Sequence, residues 1–221
     1  ADPEQLRAEF EKVPSCCIAD GHHRCAGAVK VGSEQRAANP AHTGREEYNW
    51  LLGVLFPASQ LTIMPYNRVI RDLNHMPADV FLDRIRERFD VRPTTHGEPS
   101  ARGTVAMYVH GQWYELVCPA PKPDAGPADR LDISILQDEL LAPTLGIDDP
   151  RTSDRIEFVG GIHGPGELAR RVDSGRAQVG FSMYPVSLDE LLAVSDAGMI
   201  MPPKSTWFEP KLLSGLFVHT L

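Results

Sequence analysis

Apolar and polar residues alternate along the chain with two different periods, which predicts a mixture of helices and strands. In residues 4–13 and 81–89 the apolar side chains recur at helical spacing. The segment 187–194 begins with Ser187, and Glu190 follows three residues later, as in a capping box. We therefore predict helices in these three segments, and further helices after residue 24, at 133–141 and at 167–172.

Short β-prone runs predict the strands. The clearest are 104–109 and 112–117, which flank a two-residue turn containing Gly111 and predict a hairpin. The runs 48–56 and 61–70 flank a proline-containing turn and are expected to be neighbouring strands. Other strands are predicted at 15–19, 156–159 and 177–183. Because the order of elements lacks regular βαβ spacing, we expect the α+β class with a mixed sheet.

Four prolines interrupt the chain between residues 118 and 127. This stretch is interpreted either as a linker or as an extended excursion over one domain, and the excursion is favoured. The chain 1–221 is therefore expected to be one unit, and a division into 1–120 and 121–221 is the alternative. Its start lacks an initiator Met and a signal sequence, which predicts an N-terminally truncated, cytoplasmic chain of undetermined oligomeric state.

Charge and cysteine content narrow the classes of partner. The chain has 22 Lys and Arg against 30 Asp and Glu, a net charge of -8, so it repels nucleic acids as a whole. No apolar run approaches the roughly 20 residues of a membrane-spanning helix. Four cysteines, with Cys16 and Cys17 adjacent, predict reduced thiols and no disulfide framework. A small phosphorylated ligand remains compatible, because it needs only local cations.

The loop of Asp20, Gly21, His22, His23 and Arg24 concentrates more chemistry than any other short segment. It precedes a predicted helix, whose first turn exposes N–H groups that favour anions. Gly21 permits close approach of the backbone, Arg24 offers a two-pronged cation, and the imidazoles can donate or transfer protons. We predict a phosphate-binding site here. The open alternative is that Asp20 caps the helix and the histidines bond locally.

Four blocks of the chain resemble a bacterial and archaeal family called domain of unknown function one thousand and fifteen. They are segment 18–24, Tyr66-Asn67-Arg68-Val69-Ile70, Val179-Gly180-Phe181 with Met183-Tyr184-Pro185, and the long segment 201–212 continuing to Ser214-Gly215-Leu216. The blocks span nearly the whole chain, and the last is long and unusual. The chain is identified as a C-terminal part of a member of this family.

The resemblance extends to a wider group that contains ParB nucleotidase-type domains, sulfiredoxins and ADP-dependent free-serine kinases. It implies a ParB/sulfiredoxin-like phosphate loop followed by a C-terminal α/β extension. In the relatives this loop holds nucleotide phosphates, which makes Gly21, His23 and Arg24 the implied ligands. His22 stands where a sulfiredoxin has its catalytic Cys, so sulfiredoxin activity is not expected. Asp20 and His22 are the catalytic candidates, although the relatives have their carboxylate base upstream of the loop.

Further candidates lie outside the loop. Lys204 and Ser205 are predicted to bind phosphate, although the glycines of a P-loop are missing and an extended segment with a solvated Lys is the alternative. Asn67, Arg68 and Trp207 are predicted to contact a substrate. A salt bridge for the arginine and ordinary packing for the tryptophan are the alternatives. The glycine-rich segment 160–166 is interpreted as a tight turn rather than a phosphate cradle.

Three hypotheses about function follow from this sequence. The first is a nucleotide-dependent phosphotransferase acting on a small, serine-like hydroxyl metabolite, with ATP or ADP and Mg²⁺ as cofactors and no zinc. The alternative is a regulatory module that binds a nucleotide or phosphorylated metabolite without turnover. A structural fragment is the third possibility, favoured if the loop side chains prove buried and mutually satisfied.

Overall fold

The computed structural model describes residues 2–213 and 215–219. The chain divides into two compact units. One, which we call the terminal unit, comprises Ala1–Leu61 and Pro210–Leu221, and the other, the sheet unit, comprises Thr62–Glu209.

The terminal unit is helical and irregular. It contains helix α1 (Pro3–Phe10), helix α2 (His22–Ala38) and the 3₁₀ turns Glu47–Asn49 and Ala58–Gln60. Asp2 is the N-cap of α1 and accepts a hydrogen bond from the Glu4 N–H at 3.1 Å. None of the described residues of this unit is buried.

The strands predicted at 15–19 and 48–56 are wrong. Both segments are almost entirely exposed and, apart from the 3₁₀ turn, irregular. A strand needs a neighbouring strand for its backbone hydrogen bonds, and no β-pairing involves the described residues of the terminal unit. Apolar composition alone therefore predicted strands that have nothing to pair with.

The sheet unit contains eight strands. They are β1 (Thr62–Met64), β2 (Tyr66–Ile70), β3 (Asp90–Thr94), β4 (Thr104–Val109), β5 (Gln112–Val117), β6 (Ile156–Gly160), β7 (Val179–Met183) and β8 (Trp207–Glu209). Six form one sheet in the order β3-β5-β4-β7-β2-β6, and β1 pairs separately with β8. Every described pairing is antiparallel. The α+β class is confirmed, and the sheet joins strands from before and after the proline-rich segment.

Helices cover the sheet and complete its core. They are α3 (Ala78–Arg86), α4 (Asp132–Leu136), which continues as a π-helical turn (Gln137–Leu141), α5 (Gly164–Asp173) and α6 (Leu188–Asp196). The core centres on fully buried residues of β4, β7, α3 and the α4 segment. Ser187 caps α6 in the predicted capping box with Glu190. The predicted hairpin is also confirmed, with β4 and β5 joined by His110 and Gly111, both at positive φ.

Candidate functional site

The predicted phosphate loop lies at the start of α2, in the terminal unit. Gly21 is the N-cap residue and has a left-handed backbone, with φ of 88°. The Gly21 carbonyl accepts a hydrogen bond from the Cys25 N–H at 2.9 Å, which closes the first turn. His22 and His23 begin the helix. No side-chain hydrogen bond is described at this N-terminus, so its N–H groups remain available to an anion.

Arg24 folds back over Gly21. A Cβ atom at position 21 would lie 2.9 Å from the terminal Nη2 of Arg24 and 3.1 Å from its Nε. Glycine suits position 21 because of its positive φ, and a side chain there would move the guanidinium aside. The loop brings an exposed cation to the positive end of a helix of 17 residues.

Asp20 is not the helix cap that the alternative interpretation required, because Gly21 occupies that position. Its exposed carboxylate instead lies between two cations, 3.7 Å from Nη2 of Arg24 and 3.8 Å from Nζ of Lys211. Lys211 comes from the distant C-terminal segment and was not predicted as a site residue. Exposed pairs of this kind contribute little to stability.

The remaining predicted site residues belong to the sheet unit. Asn67 is 1% exposed, and its Oδ1 accepts a hydrogen bond from the Met183 N–H at 3.0 Å. Ser205 is buried beside a cavity of about 10 Å³, which has room for no more than a water molecule. These two placements favour structural roles, while ligand binding by either residue stays a prediction.

Arg68 is a buried cation without a carboxylate. Its side chain is 3% exposed, and no ion pair to it exists among the described residues. One terminal nitrogen donates to the Tyr66 carbonyl at 2.7 Å and the other to the Lys204 carbonyl at 3.3 Å. Burial lowers the pKa of Arg68 to about 9, so the guanidinium is charged at neutral pH. The sheet unit therefore holds an uncompensated positive charge inside it.

An open groove of about 560 Å³ lies over strand β6 in the same unit. The side chains of Tyr66, Lys204 and Trp207 line it, together with His163 and Arg171. Sequence analysis had singled out Lys204 and Trp207 but missed the other three, which come from separate elements and share no local motif. The groove is therefore lined by two of the predicted site residues, Lys204 and Trp207.

A second group that the sequence did not indicate surrounds Asp132 at the start of α4. The Asp132 carboxylate accepts a hydrogen bond from the Gly103 N–H at 2.9 Å. Burial, with a smaller contribution from the negative charge of Glu190, raises the pKa of Asp132. Burial beside Asp132 also raises the pKa of the Cys118 thiol to about 12. Such a thiol is neutral and a poor nucleophile, so this group is not a thiol-based active site.

We expect Asp132→Asn to raise the midpoint of thermal unfolding at pH 7. The folded-state pKa of Asp132 is raised, so stability is lost as pH rises through that pKa and the ionised carboxylate destabilises the fold at neutral pH. The amide can still accept the Gly103 hydrogen bond. The advantage should shrink as the pH is lowered and the carboxyl takes up its proton. The exposed Asp154→Asn is the control, and a lower midpoint for Asp132→Asn at pH 7 would contradict this prediction.

The described residues provide neither a metal-binding cluster nor a disulfide. Among residues 2–213 and 215–219, no group of three or more His, Cys, Asp and Glu side chains is arranged to hold a metal ion. The four cysteines are free. No described helix is long and apolar enough to cross a membrane.

Comparison with solved structures finds distant likenesses. The chain is similar to free serine kinase in complex with AMP, at 16% identity and a TM-score of 0.44, over 94% of this chain and 80% of that one. A mutant of free serine kinase in complex with ADP shares 18% identity at a TM-score of 0.42, over 89% and 70% of the two chains. A conserved hypothetical protein from Pyrococcus furiosus shares 14% identity at a TM-score of 0.43, over 89% and 72%.

Comparison with curated protein sequences gives no match. A family model described as "Protein of unknown function (DUF1015)" matches residues 1–134. The match covers more than half of the chain and includes the loop at the start of α2 and the first strands of the sheet unit. The chain therefore belongs to the DUF1015 family.

Proposed function

We propose that the loop at the start of α2 binds the phosphate groups of a nucleotide, and that the protein transfers a phosphoryl group to a small hydroxyl metabolite of the serine type. One observation carries the proposal. The N-terminus of a long helix has a left-handed glycine and no described side-chain cap, and an arginine folds back over that glycine. This combination gives backbone donors, a helix dipole and a cation at one point.

The charges around the loop match a phosphate. Arg24 and Lys211 both approach the Asp20 carboxylate, which acts as an internal anion at the site. A phosphate carries more charge than a carboxylate and accepts more hydrogen bonds, so it would compete for the same cations. The α2 helix is about 25 Å long at 1.5 Å per residue, and its dipole favours an anion at this end.

The residues of the loop divide into phosphate ligands and catalytic candidates. Gly21, His23 and Arg24 would hold the phosphates, and Arg24 would stabilise the charge that develops on the transferred group. Asp20 fits the single carboxylate that Mg²⁺ commonly takes from a protein when it accompanies a nucleotide. His22 is the candidate for proton transfer. Positioning and electrostatics, rather than covalent chemistry, would supply the rate acceleration.

The alternative function is a regulatory module that binds the same ligand without turnover. The ion pairs of Asp20 favour this alternative, because its carboxylate already contacts Arg24 and Lys211 and need not take part in a proton transfer. Both functions use the same phosphate ligands and differ in the role of Asp20.

Titration calorimetry with ADP, with and without Mg²⁺, tests the binding site. We expect Arg24→Ala to weaken ADP binding by about tenfold or more, since a charge-assisted hydrogen bond to phosphate contributes about 1.5–3 kcal/mol. Arg36→Ala is the matched control, because this exposed arginine lies in the last turn of the same helix. Equal affinities for ADP in the two variants would refute the phosphate loop.

Asp20→Asn separates the two functions. If the protein is a binding module, removal of the internal anion should leave ADP binding intact or stronger, and no serine-dependent consumption of nucleotide should occur in either protein. If it is a phosphotransferase, the wild-type chain should phosphorylate a hydroxyl substrate and Asp20→Asn should lose most of that turnover.

A further inference from the structure

The groove over β6 has the chemistry of a second candidate binding site. Its lining combines the aromatic rings of Tyr66, Phe158 and Trp207 with the cations of Lys204 and Arg171 and the carboxylate of Glu157. All of the lining residues belong to the sheet unit, so the groove lies within one compact unit. At about 560 Å³ it is large enough for a small ligand with a planar ring.

Lys204 is the lysine that lines this groove. Its Nζ lies 5.3 Å from the centre of the Tyr66 ring, and among the residues that the structure describes it forms no ion pair with a carboxylate. Lys204 also has a left-handed backbone, with φ of 52°. A left-handed backbone is uncommon for lysine, and the ammonium group of this exposed side chain is attracted to the face of the Tyr66 ring.

Arg68 lies inside the sheet unit and supports the groove through hydrogen bonds to the backbone. Its two terminal nitrogens donate to the backbone carbonyls of Tyr66 and Lys204, the two residues whose side chains meet in the groove. Its Cζ also lies 5.6 Å from the centre of the Phe158 ring, and Phe158 lines the groove as well. The buried guanidinium of Arg68 thus binds the backbone of both Tyr66 and Lys204 and places a second positive charge near them.

The aromatic wall is fixed by a glycine. The Trp207 ring lies over Gly160, and a Cβ atom there would come within 2.7 Å of the ring carbon Cζ3. The Tyr66 ring meets Trp207 edge to face, with centroids 5.3 Å apart and an interplanar angle of 64°. The two rings therefore stand at a defined angle beside the ammonium group.

The charges around the groove leave an excess of positive charge. The Glu157 carboxylate is already shared by Arg71 at 3.4 Å and Arg171 at 3.0 Å. The Glu167 carboxylate is 2.7 Å from Arg171 and 2.7 Å from Arg170. Both carboxylates thus have other partners, and the Glu209 carboxylate accepts a hydrogen bond from the Trp207 indole N–H. Among the described residues, neither Lys204 nor the buried Arg68 forms an ion pair with a carboxylate. A neutral or cationic ligand would not relieve that excess, whereas an anion would.

We propose that this groove binds an anionic compound with a planar ring, such as an aryl phosphate, with Lys204 on the anion and Trp207 against the ring. Arg68 acts as a positioning residue that does not touch the ligand. No residue of the α2 loop is used in this proposal, so its test can fail without the function proposed above failing.

Phenyl phosphate is the probe, because it carries the required anion and ring and is not a nucleotide. The readout is the ¹H–¹⁵N spectrum of the full chain, in which three tryptophans give three indole signals, and Trp207→Phe identifies the signal of Trp207. We expect phenyl phosphate to shift that signal at lower concentration than either phenol or inorganic phosphate does. A ring and an anion that bind together should gain from both contacts.

Lys204→Asn is the decisive variant, because asparagine tolerates the left-handed backbone while the ammonium group and most of its stem are removed. We expect it to weaken phenyl phosphate binding by about tenfold, while Lys122→Asn, an exposed control in the same unit, leaves it unchanged. The same spectra report whether each variant is folded, and Lys204→Gly is a second variant that keeps the backbone unstrained.

Three results would overturn the proposal. The first is an unchanged Trp207 signal at millimolar phenyl phosphate. The second is full binding by folded Lys204→Asn or Lys204→Gly. The third is loss of the Trp207 shift in Arg24→Ala, which would assign the ligand to the α2 loop instead. An unchanged Trp207 shift in Arg24→Ala, with ADP binding lost, would support two separate sites.

Discussion

Replacement of Phe181 by alanine should lower the free energy of unfolding by about 3–5 kcal/mol. Phe181 is fully buried in β7, where it stands opposite Met107 of β4 and Arg68 of β2. Strands pair with β7 on both sides, so the surrounding backbone cannot collapse into the space left by the ring. Urea unfolding followed by circular dichroism measures the loss.

Two variants define the scale of that measurement. Phe181→Leu keeps most of the apolar volume and should cost about 1–2 kcal/mol. Phe217→Ala removes the same side chain from a position that is 71% exposed and should change stability by less than about 0.5 kcal/mol. A loss below about 1 kcal/mol for Phe181→Ala would mean that the sheet can repack around β7, contrary to this fold.

The second large effect is expected at Arg68. Arg68→Met keeps the apolar stem and should cost about 2–3 kcal/mol, because two part-buried hydrogen bonds to the carbonyl groups of Tyr66 and Lys204 are lost. The loss is smaller than the sum of two unsatisfied groups, since methionine also removes a buried charge. Burial lowers the pKa of Arg68 to about 9, so the guanidinium is charged and the loss constant from pH 6 to pH 8.

Arg71→Met is the matched control for Arg68→Met. Arg71 follows the same strand, but its side chain is 53% exposed and its ion pair with Glu157 is 3.4 Å long. Such a pair contributes about 0–1 kcal/mol. If Arg68→Met were as stable as the wild type, the cost of burying the charge would equal the value of both hydrogen bonds, and the bracing role of Arg68 would be unsupported.

Local patterns predicted the parts of the fold that local chemistry fixes. The hairpin of β4 and β5 was predicted because Gly111 favours the positive φ of its turn, and α6 because Ser187 and Glu190 satisfy the helix N-terminus reciprocally. The start of α2 was found for the same reason. Each of these features depends on residues fewer than five positions apart.

Other strands depend on partners far along the chain. Strand β3 was missed because its residues are mostly exposed and include Pro93, which sheets tolerate at an edge, and β3 is an edge strand. The opposite error placed a strand at 48–56, where an apolar run has no pairing partner. Hydrophobicity alone does not distinguish a strand from an exposed apolar segment.

The candidate sites show the same limit. The α2 loop was identified from five consecutive residues, whereas Lys211, which approaches Asp20, lies in the C-terminal segment. In the groove, Arg68 and Lys204 are 136 residues apart in sequence, and only the fold shows that one braces the other. Single-sequence patterns contain no information about such pairs.

The short pairing of β1 with β8 brings the two ends of the sheet unit together. Thr62 and Glu209, its first and last residues, are register partners in neighbouring strands. Neighbouring strands lie about 5 Å apart, so this unit leaves the chain and returns to it at nearly one point. In sequence, the sheet unit is an insertion between the two segments of the terminal unit. The sheet unit is one continuous segment, so it can be produced as a separate chain without joining any ends. A linker of a few residues would connect its two ends into a circular chain.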